Sequence, residues 1–404
     1  MSKLAQLVAE FCPNEIEYKT LGEIAVDMYR GAGIKRDEVT KDGIPCVRYG
    51  EIYTTYGIWF DTCISHTQSG TKFFEHGDIL FAITGESVTE IAKSCAYMGY
   101  EKCLAGGDIV VMKHKQDPKY IAYALSTGDA QTQKSKGKVK SKVVHSSVPA
   151  LKAITIPIPP LPIQREIVRI LDNFKELTAE LTAELIERKK QYEYYRNELL
   201  TFGDNVSMVL LGDVCKFQNG FAFKSSLFNL AGSPIIRITN IQSTNVDVES
   251  VMRFNKEDYK ESLSQFEIRR GDILIAMSGA TTGKVGYVNS EGVFYLNQRV
   301  GKFVPETGYL NNRFLYHFLL LKENDIYNMA GGGAQPNLSS VRLMRELTIP
   351  LLSLHEQERI VATLDKFDAL TTDISSGLPA EIEARNKQYA YYRDTLLSFK
   401  EVGA

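Results

Sequence analysis

The sequence predicts an α+β protein in which two β-rich globular domains are joined by two long antiparallel coiled-coil helices, with a pseudo-two-fold internal repeat. Three observations predict it. First, ITIPIPPLPIQREIVRILDNF (154–174) returns as LTIPLLSLHEQERIVATLDKF (347–367) at a constant offset of 193, which sets Pro157 on Pro350, Gln164 on Gln357 and Leu171-Asp172 on Leu364-Asp365. Second, KKQYEYYRNELLTF (189–202) returns as NKQYAYYRDTLLSF (386–399), with nine of fourteen positions identical. Third, a fainter skeleton repeats upstream: Leu21-Gly22 on Leu211-Gly212, Pro45 and Arg48 on Pro234 and Arg237, and Gly77-Asp78-Ile79-Leu80 on Gly271-Asp272-Ile273-Leu274.

The elements follow in order. A first domain is predicted over 1–153. It opens with a short amphipathic helix whose Leu4, Leu7, Val8 and Phe11 share a face. That helix stands before Leu21-Gly22 as Phe202 stands before Leu211-Gly212, and reads as the remnant that completes the repeat. The repeated central helix follows over 154–205, the second domain over 206–346, and the second helix copy over 347–404.

In the central helix Ile167, Leu171, Phe174, Leu177, Leu181 and Leu185, then Tyr192, Tyr195, Leu199 and Phe202, step by threes and fours, as does the second copy from Ile360 to Phe399. That is the narrow stripe of a coiled-coil seam. A helix of about 40 residues is roughly 60 Å long, and two matching copies in one chain favour an intramolecular pair over a homodimer. The central copy carries two tandem TAEL units, Thr178 to Leu185, while Gly377 and Pro379 predict a kink in the second. The Pro-rich run before the central helix (Pro157, Pro159, Pro160, Pro162) ends the first domain and aims the helix.

Both domains read as strands with Gly-rich turns. GDILIAMSGATTGKVGYV (271–288) suggests a phosphate loop but fails as one: Ser278 stands at the first glycine position and Val285 where Ser or Thr must hold Mg²⁺. A turn whose Thr281, Thr282 and Lys284 touch a phosphate is the better expectation. The basic segment QKSKGKVKSKVVH (133–145) alternates Lys134, Lys136, Lys138, Lys140 and Lys142, so an extended strand points all five to one side, toward phosphates. Its counterpart GGGAQPNLSS (331–340) carries Gln335 and Asn337. Gln and Asn bond adenine bidentately and Arg bonds guanine or phosphate, which adds Arg36, Arg48, Arg237, Asn240 and Arg299 to the candidate contacts.

Composition excludes several classes. Hydrophobic content of 44% and charged content of 24% are those of a globular protein, and no apolar run approaches the ~20 residues of a membrane span. The N-terminus is too short and mixed for a signal peptide, so a cytoplasmic protein is expected. Six cysteines at irregular spacing, with no C-x-x-C, read as reduced buried thiols and predict no metal. Net charge of −2 confines any nucleic-acid binding to local patches. Methyl-transfer motifs, a complete Walker A sequence and a nucleophile elbow are all missing from the chain, which reads as a binding and spacing device with no catalytic residues.

With these parts together, the whole chain resembles the specificity subunit of type I restriction–modification systems. The resemblance rests on both repeated helices and on GDILIAMSGATTGKVG and GGGAQPNLSSV, which are similar to the family's target-recognition skeleton. It implies that two target-recognition domains each read half of a bipartite, asymmetric site on double-stranded DNA, with the helices setting the gap. It implies docking of two modification (methyltransferase) subunits, which carry S-adenosylmethionine, and of restriction (motor–nuclease) subunits, which use ATP and Mg²⁺; the chain itself needs no cofactor. Tyr192, Tyr194, Tyr195 and Arg196, with Tyr389, Tyr391, Tyr392 and Arg393, exceed what a seam requires and are the expected partner-binding faces. The alternative is a structural hub joining two partners without reading DNA.

Overall fold

The computed structural model describes residues 3–12, 16–88, 90–135, 139–140, 143–203, 205–331, 336–372 and 376–399. The chain divides into two compact units, Met1–Ala179 with Ala384–Ala404, and Glu180–Glu383.

Unit 1 holds the first domain as two stacked five-stranded sheets. One runs in the order 25–30, 109–114, 79–82, 94–97, 59–60, and the other 39–40, 65–67, 44–47, 103–105, 73–74. Along Ile79–Ala82 the residues alternate between two cores. Ile79 and Phe81 face the helix Pro118–Ala124 and the central helix, while Leu80 and Ala82 face the second sheet. All four are fully buried, as a strand covered on both faces requires.

Unit 2 repeats this order. Strands 215–219, 300–305, 273–276 and 285–287 take the places of the first sheet, and 233–236, 294–296 and 267–268 those of the second. Ile273 and Ile275 again face the helices, and Leu274 and Ala276 the other sheet. The shared Gly-Asp has a physical cause. Gly77 and Gly271 sit at φ +90° and +94°, where a Cβ is strained. Asp78 and Asp272 then accept the N–H of Glu75 and Arg269, each at 2.9 Å, closing the turn into the strand.

The central helix spans Leu161–Leu200, and its buried apolar residues lie at its two ends: Ile163, Ile167, Val168 and Leu171 in unit 1, Tyr192 and Leu200 in unit 2. The stretch with the TAEL units has no fully buried residue, and Leu177, expected in the seam, is 47% exposed. The second copy is two helices, Leu354–Thr372 and Leu378–Leu397, rather than one kinked helix. Pro379 takes the second position of the latter, where its missing N–H costs no hydrogen bond.

Each unit sets the start of one copy against the end of the other, which is the antiparallel arrangement. In unit 1 Phe174 stacks on Tyr392, and in unit 2 Tyr195 stacks on Phe367, both at 5.2 Å between ring centres. The role expected for the N-terminal helix is corrected. Leu396, Leu397 and Phe399 pack on the unit 1 core as Leu199, Leu200 and Phe202 pack on that of unit 2. The helix Lys3–Phe11 is an addition on the same core, with Lys3 paired to Glu166 at 3.0 Å.

Candidate nucleic-acid interface and helix seam

The loops of the second domain bring most of its expected contacts together. The strand Ser233–Ile236, buried at Ile235 and Ile236, leads to Arg237, which opens the turn Ile238–Asn240. Thr281 donates its hydroxyl to Ile238 O at 3.0 Å, joining that turn to Gly279–Thr281. Gly279 N–H donates to Pro336 O at 3.2 Å, beside Asn337, and Met277 N–H donates to Arg299 O at 2.9 Å. Arg237, Thr281 and Lys284 are partly exposed, and Arg299 and Asn337 exposed. Gln335 lies outside the described residues.

Two expectations in this cluster are corrected. Asn240 is buried: its carbonyl accepts Arg237 N–H and its amide donates to Ser250 O, both at 3.0 Å. Thr282 is buried too, donating to Gly279 O at 2.7 Å and Pro336 O at 3.1 Å. A short polar side chain next to a tight turn satisfies the backbone before it reaches a ligand. Both shape the loops that carry the exposed residues.

In the first domain Arg36 is exposed at the start of the turn Arg36–Glu38. Arg48 bonds Glu51 through Nε at 3.1 Å. The row of five lysines is corrected at its first member, because Gly128–Lys134 is a helix and the alternation argument needs a strand. Lys134 is buried, its ammonium donating to Leu125 O at 2.7 Å and Ser94 at 3.3 Å, and burial pushes its pKa down to about 7. Lys140 lies in the strand Val139–Lys140, paired with Val143–His145; Lys136, Lys138 and Lys142 lie outside the described residues.

Among the partner-face residues, Tyr194 and Tyr391 are 61% and 66% exposed. Each stands edge-on to its neighbour, Tyr195 or Tyr392, whose other contact is the seam stack. Tyr192 is corrected to an internal residue, 4% exposed, and the Arg196 guanidinium lies over its ring at 5.2 Å. Tyr389 is half-buried, and burial raises its pKa to about 12. Arg393 pairs with Asp394 at 2.8 Å.

Sequence reasoning missed the latch between each domain and its helix. Gln164 and Gln357 are fully buried. Their side-chain carbonyls accept the N–H of Asp117 (3.0 Å) and Asn311 (2.7 Å), the residues that cap the domain helices Pro118–Ala124 and Asn312–Leu321. About two turns further on, Asp172 takes Lys119 and the Tyr123 hydroxyl at 2.7 and 2.6 Å. Asp365 likewise takes Arg313 and His317, at 2.6 and 2.7 Å. The matched Gln and Asp positions were the available signal; their partners differ in type between copies.

His317 accepts Tyr192 O–H at Nδ1 (2.8 Å) and donates from Nε2 to Asp365. Burial holds its pKa below the usual value, so the ring is neutral. Below about pH 6.5 the unfolded chain binds a proton that folded His317 refuses, so stability falls as pH drops from that point. His317→Gln is expected to flatten the loss between about pH 6.5 and 5.5, as read by urea midpoints. An unchanged slope would show that His317 binds protons alike in the folded and unfolded chain.

Comparisons with known proteins agree with this architecture. The family model "Type I restriction modification DNA specificity domain" matches residues 13–190 and again 203–384. The chain is 37% identical over 300 residues to the Escherichia coli type I restriction enzyme EcoR124I/EcoR124II specificity subunit, covering 70% of each chain. It is 36% identical over 276 residues to a putative type I restriction enzyme specificity subunit of Haemophilus influenzae, covering 65% of this chain and 68% of that one. The fold is shared with the S subunit of a type I restriction–modification system from M. genitalium, with a TM-score of 0.55, 17% identity, and 95% and 97% of the two chains covered. A chain from a study of type I R-M complex assembly superposes with a TM-score of 0.63 at 16% identity, over 95% and 98%. Two matches of one family model, falling on two units with one strand order and one helix latch, settle the kinship: the chain belongs to the type I restriction–modification DNA specificity family.

Proposed function

We propose that this chain recognises a bipartite DNA site, each domain reading one half while the paired helices set the gap. The observation that carries it is the repeat itself: one strand order and one latch occur twice, with different loop chemistry on each copy. Duplicated scaffolds with divergent loops suit two different half-sites, whose correct base pairs add roughly 1–3 kcal/mol each. The exposed Tyr194 and Tyr391, with Tyr195, Tyr392, Arg196 and Arg393, form the docking faces for two modification subunits. Those subunits carry S-adenosylmethionine, restriction subunits use ATP and Mg²⁺, and this chain performs no chemistry of its own. The basic segment that includes Lys136, Lys138, Lys140 and Lys142 supplies phosphate contacts.

The test is selection from a random duplex pool by the chain with its modification subunit. A two-part motif with a fixed gap is expected; salt-sensitive binding without a motif would refute the reading. Deleting one TAEL unit, Thr182–Leu185, removes four residues, about 6 Å of helix rise. The selected gap should shorten while both half-motifs stay the same. An unchanged gap would remove the helices from the measuring role.

A further inference from the structure

The two domains carry the same row of backbone hydrogen bonds along one loop edge. In the second, Asn297 N–H donates to Ile236 O (3.2 Å), Met277 N–H to Arg299 O (2.9 Å) and Leu338 N–H to Met277 O (2.8 Å), and Ser278 bridges to Asn337. In the first, Gly106 N–H donates to Val47 O (2.9 Å), Ile83 N–H to Asp108 O (3.0 Å) and Ser146 N–H to Ile83 O (2.9 Å), and Thr84 pairs with His145. The correspondence is position by position. Arg48 matches Arg237, Gly106-Gly107-Asp108 match Asn297-Gln298-Arg299, Thr84 matches Ser278, and His145 matches Asn337.

The chemistry on the two rows is opposite. The first is closed on itself. Arg48 is held by Glu51 at 3.1 Å, Asp108 by Arg30 at 2.6 Å, and the Thr84 hydroxyl meets His145 Nδ1 at 3.1 Å. Two glycines between them present no side chain. The second row is open. Asn240 stands where Glu51 would be, both its polar atoms bonded to backbone, so it brings no carboxylate to Arg237. Among the described residues neither Arg237 nor Arg299 makes an ion pair, and Gln298, Arg299 and Asn337 are exposed. Among the described residues the buried Ser278 hydroxyl has no hydrogen-bond partner.

We propose that Arg237, Gln298, Arg299 and Asn337 form the base-reading edge of the second domain, and that the matching row of the first domain reads no base. This rests on the DNA-recognition reading above. An unpaired guanidinium offers the two-pronged fork that fits guanine O6 and N7, and Gln or Asn amides match adenine N6 and N7. Arg48, held through Nε by the Glu51 carboxylate, has its charge offset and one side of its guanidinium occupied. The unpartnered Ser278 hydroxyl, behind Asn337, gains a bond when DNA or its ordered water fills the edge.

The experiment is the same pool selection with variants, in complex with the modification subunit. Arg299→Ala, Asn337→Ala and Arg237→Ala should each lower discrimination about 5- to 150-fold at one or two positions of one half-motif. The other half-motif, unchanged, shows that the complex is folded. Arg48→Lys and Asp108→Asn should leave the base preferences of both halves as they were. A uniform loss across sequences with a shallower salt dependence would make the open row a phosphate clamp and overturn the assignment. So would an intact motif in all three alanine variants, or relaxed preference in Arg48→Lys or Asp108→Asn. Absence of any motif with the unaltered chain would instead bring down the recognition reading on which the assignment rests.

Discussion

Arg313→Leu is expected to destabilise unit 2 by about 3 kcal/mol, the cost of stripping a buried ion pair of one member. Arg313 donates to Asp365 Oδ1 from Nε (2.9 Å) and Nη2 (2.6 Å), and Nη2 also reaches Asp368 Oδ2 at 2.6 Å. Its guanidinium lies over the rings of Tyr287 and Tyr316, at 4.4 and 4.6 Å. Leucine would leave buried Asp368 uncompensated and Asp365 with only His317. The chain's single tryptophan, Trp59, lies in unit 1. Urea unfolding followed by circular dichroism should therefore shift, while the Trp59 fluorescence transition stays in place. Adding Asp365→Asn and Asp368→Asn should recover part of the loss, because the uncompensated charge goes with it. A loss below about 1 kcal/mol would class the cluster with weak surface pairs.

Gln357→Leu should have a comparable effect for a different reason. Its amide donates to Tyr309 O and Leu352 O (2.8 and 3.0 Å) while its carbonyl takes Asn311 N–H at 2.7 Å. Leucine fills the volume but leaves three backbone groups without partners in a buried place, at about 1–3 kcal/mol each if no water reaches them. The matching change, Gln164→Leu, strands Asp117 N–H and Pro159 O in unit 1, and there the Trp59 transition should move. Movement of the fluorescence transition by Gln357→Leu, or its absence with Gln164→Leu, would refute the assignment of one latch to each unit.

Much of this architecture was legible from repetition. The offset of 193 that aligns Gln164 with Gln357 and Asp172 with Asp365 marks positions where geometry allows one residue type. A buried carboxamide capping a helix and a carboxylate facing a cation tolerate little change. The Gly-Asp turns were legible for the same reason, since only glycine takes φ near +90° without strain. Elsewhere local geometry overrode the linear pattern. The lysine alternation presumes a strand through Lys134, but the chain there is a helix that packs Lys134 inside. Asn240 and Thr282 carry the right groups for DNA, yet turn geometry directs those groups to the backbone. Tyr192 and Tyr194 look alike in sequence. Two residues apart on a helix they point about 200° from one another, so one is 4% and the other 61% exposed.

By itself the sequence determined the duplication, the two helices, the β-rich domains and the family resemblance, because periodicity and internal identity are properties of a linear pattern. Only the tertiary structure decided which polar residues are free to act. Arg48 and Arg237 match in sequence, and they differ because Glu51 folds back onto the first while Asn240 is occupied by Ser250 near the second. Asp108 and Arg299 occupy the same place on the same edge, and one is neutralised by Arg30, far away in the chain, while the other faces outward. Whether a charge is available depends on what the fold places within hydrogen-bonding reach of it, and residues far apart in the chain supply those neighbours.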